Sequence, residues 1–155
     1  MAGRGEGEQT VATNRKARHD YELVERFEAG IQLTGDEVKS LREGRASLVD
    51  CFGRIRDGEM WLEGMHVPPY EQGDTRTYQP MRPRKLLLHR HEIEHFDAEL
   101  RERGFTLVPL RVYFSHGIAK VELALARGKR RYEKRQAIAK REAQREIEQA
   151  AGRRR

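Results

Sequence analysis

Residues 91–95 read His-Glu-Ile-Glu-His and match H-E-x-x-H. On a helix that spacing presents two imidazoles to a zinc ion, with the glutamate as general base of a hydrolase. The surrounding residues argue against it. A catalytic zinc needs a third protein ligand, and the extended spacing puts Ala98 and Arg101 where Gly and His are required. Arg90 and Glu94 add the charge of an ordinary solvated helix face. A zinc hydrolase built on His91, Glu92 and His95 is therefore the weakest of three functional readings. Nucleophiles fare no better. Cys51, expected in a strand beside Phe52, is the single cysteine and reads as a small core residue. Ser40, Ser47 and Ser115 lack an elbow of glycines, and "GRGEG" near the start lacks phosphate-loop spacing. Nothing in the sequence argues for catalysis, and neither metal nor cofactor is expected.

Residues that could bind are better placed. Aromatic or imidazole groups intermix with Arg and Lys at "NRKARHDY", "RPRKLLLHRH" and "GKRRYEKR". Rings can stack on bases while the cations hold phosphates. The charge distribution points the same way. Residues 128–155 hold eleven Lys or Arg against four Glu, a net of +7 in a chain of net +6, so the other 127 residues sum to −1. A basic tail on a near-neutral body suits a nucleic-acid-binding arm. No apolar run is long enough to span a membrane and no leader-like segment opens the chain, so the cytoplasm is the expected compartment.

Elements must position these groups. Residues up to about Arg18 read as loosely ordered, with 1–13 as a flexible start. "YELVERFEAGI" alternates with Tyr21, Leu23, Phe27, Ala29 and Ile31 on one side, the pattern of a strand. "LTGDEVKSLREG" is a short helix, with Thr34 and Glu37 at capping-box spacing and Gly44 as its stop. Asp57-Gly58 marks a hairpin between "SLVDCFGRI" and "EMWLEGMHV". A long polar, Pro-rich loop follows, then the short apolar run "KLLLH", whose periodicity settles nothing. "HEIEHFDAELRERG" is helical, with Ile93, Phe96 and Leu100 along one face. A second hairpin turns at "SHG", with Val108, Leu110, Val112 and Phe114 sharing one face of its first strand and Val121, Leu123 and Leu125 one face of the second. Five or six antiparallel strands and two short helices predict a small barrel over residues 14–127. In the tail, Tyr132, Ile138 and Ile147 point in three directions around a helix, so no packing seam forms. The expectation is a segment disordered when free and helical when bound along phosphates.

The phrases "NRKARHDY", "FEAGIQLTGDEVKSLREGRASL", "GMHVPPYEQG", "RPRKLLLH" and "LARGKRRYEKR" resemble, in order, the SsrA-binding protein family, also called small protein B. The likeness runs from about Asn14 to Glu148. It implies a mainly β, OB-fold-like antiparallel barrel with short helices and a basic C-terminal tail. It implies binding of the tRNA-like domain of transfer-messenger RNA (tmRNA) in trans-translation, with alanylation and delivery to stalled ribosomes alongside elongation factor Tu. The tail would enter the empty messenger channel near the decoding centre of the small subunit. Carried over by motif, Glu28, Leu87, His89 and Lys120 are the RNA-contacting candidates, His89 standing where many relatives have asparagine. Arg15, Lys16, Arg18, His19 and Tyr21 form a rim. Gly128 would be the hinge into the tail, with Lys129, Arg130, Tyr132, Glu133, Lys134 and Arg135 meeting the ribosome; Glu133 replaces a customary Asp without loss of charge. A carboxylate such as Glu28 cannot attract phosphate, so it must bond a base or ribose or position a cation. Leu87 is either core or an apolar contact for a base. The other reading is a general single-strand RNA-binding barrel.

Overall fold

A computed structural model describes residues 7–71, 73, 76, 78–128 and 141–149. Among them seven strands appear: β1 Glu8–Thr13, β2 Tyr21–Ile31, β3 Phe52–Arg56, β4 Glu59–Glu63, β5 Arg84–Leu87, β6 Thr106–Ser115 and β7 Ile118–Gly128. Three short helices lie between them: α1 Ala17–Asp20, α2 Gly35–Arg42 and α3 Arg90–Arg103. Antiparallel pairing runs β6–β3–β4–β5–β2–β7 and returns from β7 to β6, so six strands close on themselves. The structure thus adopts the mainly β, OB-like architecture, and closure gives each of those six strands a partner on either side.

Closure depends on a close approach. β3 meets β6 through the pair Gly53–Leu107, and a Cβ on Gly53 would lie 2.7 Å from the Leu107 Cβ. Only a residue without a side chain lets the strands meet there. At the β3–β4 turn, Asp57 and Gly58 have φ of 53° and 76°, the left-handed pair that the hairpin requires. Thr34 and Glu37 form the capping box of α2, the Thr34 hydroxyl accepting from the Glu37 N–H at 3.3 Å.

Inside lie Leu41, Met60, Leu62, Met65, Val67, Leu107, Val112, Val121 and Leu123, all without solvent exposure. α3 closes one end, its Phe96 ring stacked on Phe27 of β2 at 3.9 Å between centroids. A second, smaller cluster sits elsewhere, where Ala17 of α1 packs with Val108, Leu110, Ala124 and Ala126 and with the flanking Tyr21 and Leu23.

Two bulges make that second cluster, and they correct the sequence reading of faces. In β2 the register slips between Leu23 and Glu25, leaving Val24 as the extra residue. Tyr21 and Leu23 therefore join the cluster under α1, while Phe27, Ala29 and Ile31 face the main core. In β6 the register slips between Pro109 and Arg111, so Val108 and Leu110 face α1 and Val112 and Phe114 face the core. Proline cannot donate to a ladder and sits in sheets at such bulges. The barrel also begins earlier than expected. Glu8–Thr13, read from the sequence as part of a flexible start, is paired with the second edge of β6.

A buried ion cluster ties residues 78–83, ahead of β5, to the barrel. Arg84 is fully buried and donates to Glu37 at 2.5 Å, to Met65 O at 2.7 Å and to Pro80 O at 3.1 Å. Arg82 reaches the other oxygen of Glu37, also at 2.5 Å. Burial pushes the Glu37 carboxyl up, but the bonds from Arg82 and the Thr34 N–H and the charge of Arg84 outweigh it and hold the group below its ordinary value.

Candidate nucleic-acid interface

β2 lies between β5 and β7, so cross-strand neighbours on its outer face come from both. One row reads Tyr113–Lys120–Gly30–Leu87, and the next reads Arg111–Glu122–Glu28. Three of the four principal sequence candidates, Glu28, Leu87 and Lys120, thus meet on one face from three strands. The Lys120 ammonium donates to Glu28 at 2.9 Å, and the Tyr113 hydroxyl donates to the other carboxylate oxygen. Arg111 stacks over the Tyr113 ring at 3.9 Å and lies 3.7 Å from Glu122. Glu28 is therefore fixed by a buried tyrosine from one side and an exchangeable lysine from the other.

That exchange is cheap. The Glu28 and Lys120 side chains are 48% and 32% exposed, and such a pair contributes at most about 1 kcal/mol in water. A phosphate can take the lysine, and a base or ribose can donate to the carboxylate. Leu87 is 51% exposed, so its side chain is not part of the core. It lies across Gly30, where a Cβ would come within 3.3 Å of its own. His89, two residues on, caps the start of α3, its ring parallel to that of His91 at 5.7 Å.

The rim residues gather at the far end of β2, about 30 Å along the strand at roughly 3.3 Å per residue. Asn14 fixes this corner, its N–H donating to Leu110 O at 2.8 Å and its amide to Pro109 O at 3.0 Å. Ala17 is buried, which turns Arg15, Lys16 and Arg18 outward. His19 bonds Asp20 at 2.8 Å, and Tyr21 pairs with Gly128 where β7 ends. The side chains of Arg15, Lys16 and Arg18 make no hydrogen bond or ion pair among the described residues. Arg26 is in the same position, exposed on β2 beside Glu28's face, and sequence reasoning missed it. Its outward place in the alternating strand was the available signal. Unpaired cations are the ones free to meet phosphate without first breaking a bond.

Gly128 closes β7, while Lys129, Arg130, Tyr132, Glu133, Lys134 and Arg135 lie outside the described residues. Residues 141–149 are helical and every one is exposed, Ile147 included at 63%. Tyr132 and Ile138, on which the reading of a seamless tail also rests, lie outside the described residues. The H-E-x-x-H side chains have other work. Glu92 accepts from the His89 N–H at 3.2 Å, His95 bonds Glu25 at 3.1 Å, and Ile93 is buried. Cys51 ends the turn before β3 rather than lying within the strand. Burial pushes its thiol up to about 12, the Arg84 charge opposing only in part. That is the state of an inert core thiol.

A closed antiparallel barrel carrying a mixed apolar, carboxylate and cationic outer face has the OB-like architecture. The family model described as SmpB protein matches residues 11–153. The SsrA-binding protein of Thermobifida fusca (strain YX) is 60% identical over 152 residues, covering 98% of this chain and 95% of the relative. That of Desulforudis audaxviator (strain MP104C) is 60% identical over 146 residues, covering 94% and 95%. A chain of the solved structure "tmRNA-SmpB: a journey to the center of the bacterial ribosome" superposes with a TM-score of 0.65 at 49% identity, covering 81% of this chain and 92% of that one. The chain belongs to the SmpB protein family.

Proposed function

We propose that this protein binds tmRNA in trans-translation, acting as a non-enzymatic adaptor in the cytoplasm. The observation that carries the reading is the convergence of Glu28, Leu87 and Lys120, from three strands, on one outer face that the core does not need. Relatives about 60% identical over nearly the whole chain are SsrA-binding proteins, which supports the choice of RNA. In this reading Glu28 and Leu87 meet bases or riboses, while Lys120 and the outward cations Arg15, Lys16, Arg18 and Arg26 meet phosphates. His89 and Tyr21 extend the surface at either end. The bound tRNA-like domain is thereby held for alanylation and for delivery with elongation factor Tu. The tail from Gly128 onward, with Tyr132 as its aromatic, enters the empty messenger channel of a stalled small subunit.

The test is competition. Labelled tmRNA bound to the purified protein is challenged with excess tRNA and with polyuridine. Retention of tmRNA supports the reading; displacement by polyuridine would make the chain a general single-strand RNA binder.

A further inference from the structure

The turn before β3 exposes what most turns hide. Leu48 and Cys51 are buried and pin it to the core, the Cys51 N–H donating to Leu48 O at 3.2 Å. Pinned that way, the turn holds Val49 65% exposed, and Phe52, the first residue of β3, is 44% exposed. Both border a cleft of about 660 Å³, roofed on its other side by the corner that carries Arg15 and Lys16. Thr106 and Val108 of β6 form its floor. Neither wall is loose, since Asn14 ties the cationic corner to β6 through the two hydrogen bonds to Leu110 O and Pro109 O.

We propose that this cleft is a subsite for one unstacked nucleotide of the bound tmRNA. It rests on the tmRNA reading above and adds residues to it. The Phe52 ring offers the base a stacking face, Val49 borders it, and Arg15 and Lys16 take the adjoining phosphates. Asp20 and Asp50 also line the cleft, but Asp20 is held by His19. Arg15 and Lys16 lack side-chain partners among the described residues and are left to meet a phosphate, which favours RNA over an apolar ligand. The aromatic favours a base over a bare phosphate, because every base has a face to stack and an inorganic anion has none. The volume suits a small-ligand pocket rather than a helix groove. The cleft stands at the end of β2 opposite Leu87, so no single nucleotide reaches both.

The experiment measures tmRNA affinity and its salt dependence for the full chain. Phe52→Leu keeps the apolar bulk and removes the ring, while Phe52→Tyr keeps the ring; the exposed position lets both fold, as thermal melts will verify. The expected results are a Kd raised about 5- to 150-fold in Phe52→Leu, the span of one base stacked on an aromatic ring, and near wild-type affinity in Phe52→Tyr. Phe52→Leu should leave the salt slope unchanged, whereas Arg15→Gln with Lys16→Gln should flatten it by about 0.7 for each phosphate no longer neutralised. Wild-type affinity in Phe52→Leu overturns the subsite, as does weakened binding to isolated small subunits with tmRNA binding untouched. If the wild-type protein itself fails to prefer tmRNA over tRNA, the underlying reading falls and the subsite with it.

Discussion

Lys120 and Glu28 hold each other across two strands, so in the proposed reading RNA binds there by an exchange of partners. Lys120→Ala should weaken tmRNA binding and make the salt slope shallower by about 0.7 to 0.9, the signature of one phosphate contact. An unchanged slope would mean that Lys120 does not touch phosphate. Glu37 presents the opposite case, a carboxylate with nowhere else to go. Its folded-state value lies below the ordinary 4.5, so its contribution is fully present above that pH and is lost as pH falls through the depressed value. Glu37→Gln should therefore remove part of the acid dependence of stability in urea melts recorded between neutral and acid pH. Arg84→Met, which leaves Glu37 with Arg82 as its one cation and takes the donor from Met65 O and Pro80 O, should cost about 3 kcal/mol in the same melts. Neither residue announced this role in the sequence. Glu37 was visible as a cap, but its partner stands 47 positions away and its pairing is a product of the fold.

Elements whose chemistry is local were legible beforehand. The Thr34–Glu37 box, the Asp57-Gly58 turn and the Ile93–Phe96 face of α3 each follow from residues within a few positions of one another. What escaped was set by distant partners. β1 carries no strong alternation and exists because β6 offers it an edge. The bulges at Val24 and Leu110 reverse the facing of residues that alternate faultlessly on paper, because register is decided by the neighbouring strand. Pro109 inside an apolar run was the one local hint. Closure at Gly53 is likewise a long-range matter, and it gives the element-scale prediction. Gly53→Ala should destabilise the barrel by about 1–3 kcal/mol in chemical denaturation, since Leu107 must yield to the new methyl. An unchanged midpoint would show that β3 and β6 can part there without loss.

At the scale of the whole molecule, charge and packing divide the chain. The near-neutral body has a core, bulges that seat α1, and an outer face assembled from three strands. The segment after Gly128 carries the excess positive charge, and its described helix presents every side chain to solvent. The charge side of this division is legible in the sequence, because charge counts need no tertiary context. The sequence could not show that Leu87 is exposed or that Arg26 stands unpaired among the described residues, since both depend on what the barrel leaves uncovered. The most direct test is a protein ending at Gly128, assayed on one preparation for tmRNA affinity and for peptide tagging of stalled ribosomes. The account predicts that tmRNA binding is largely retained and that tagging is lost. Tagging at the normal rate, or loss of tmRNA binding from a folded barrel, would contradict it.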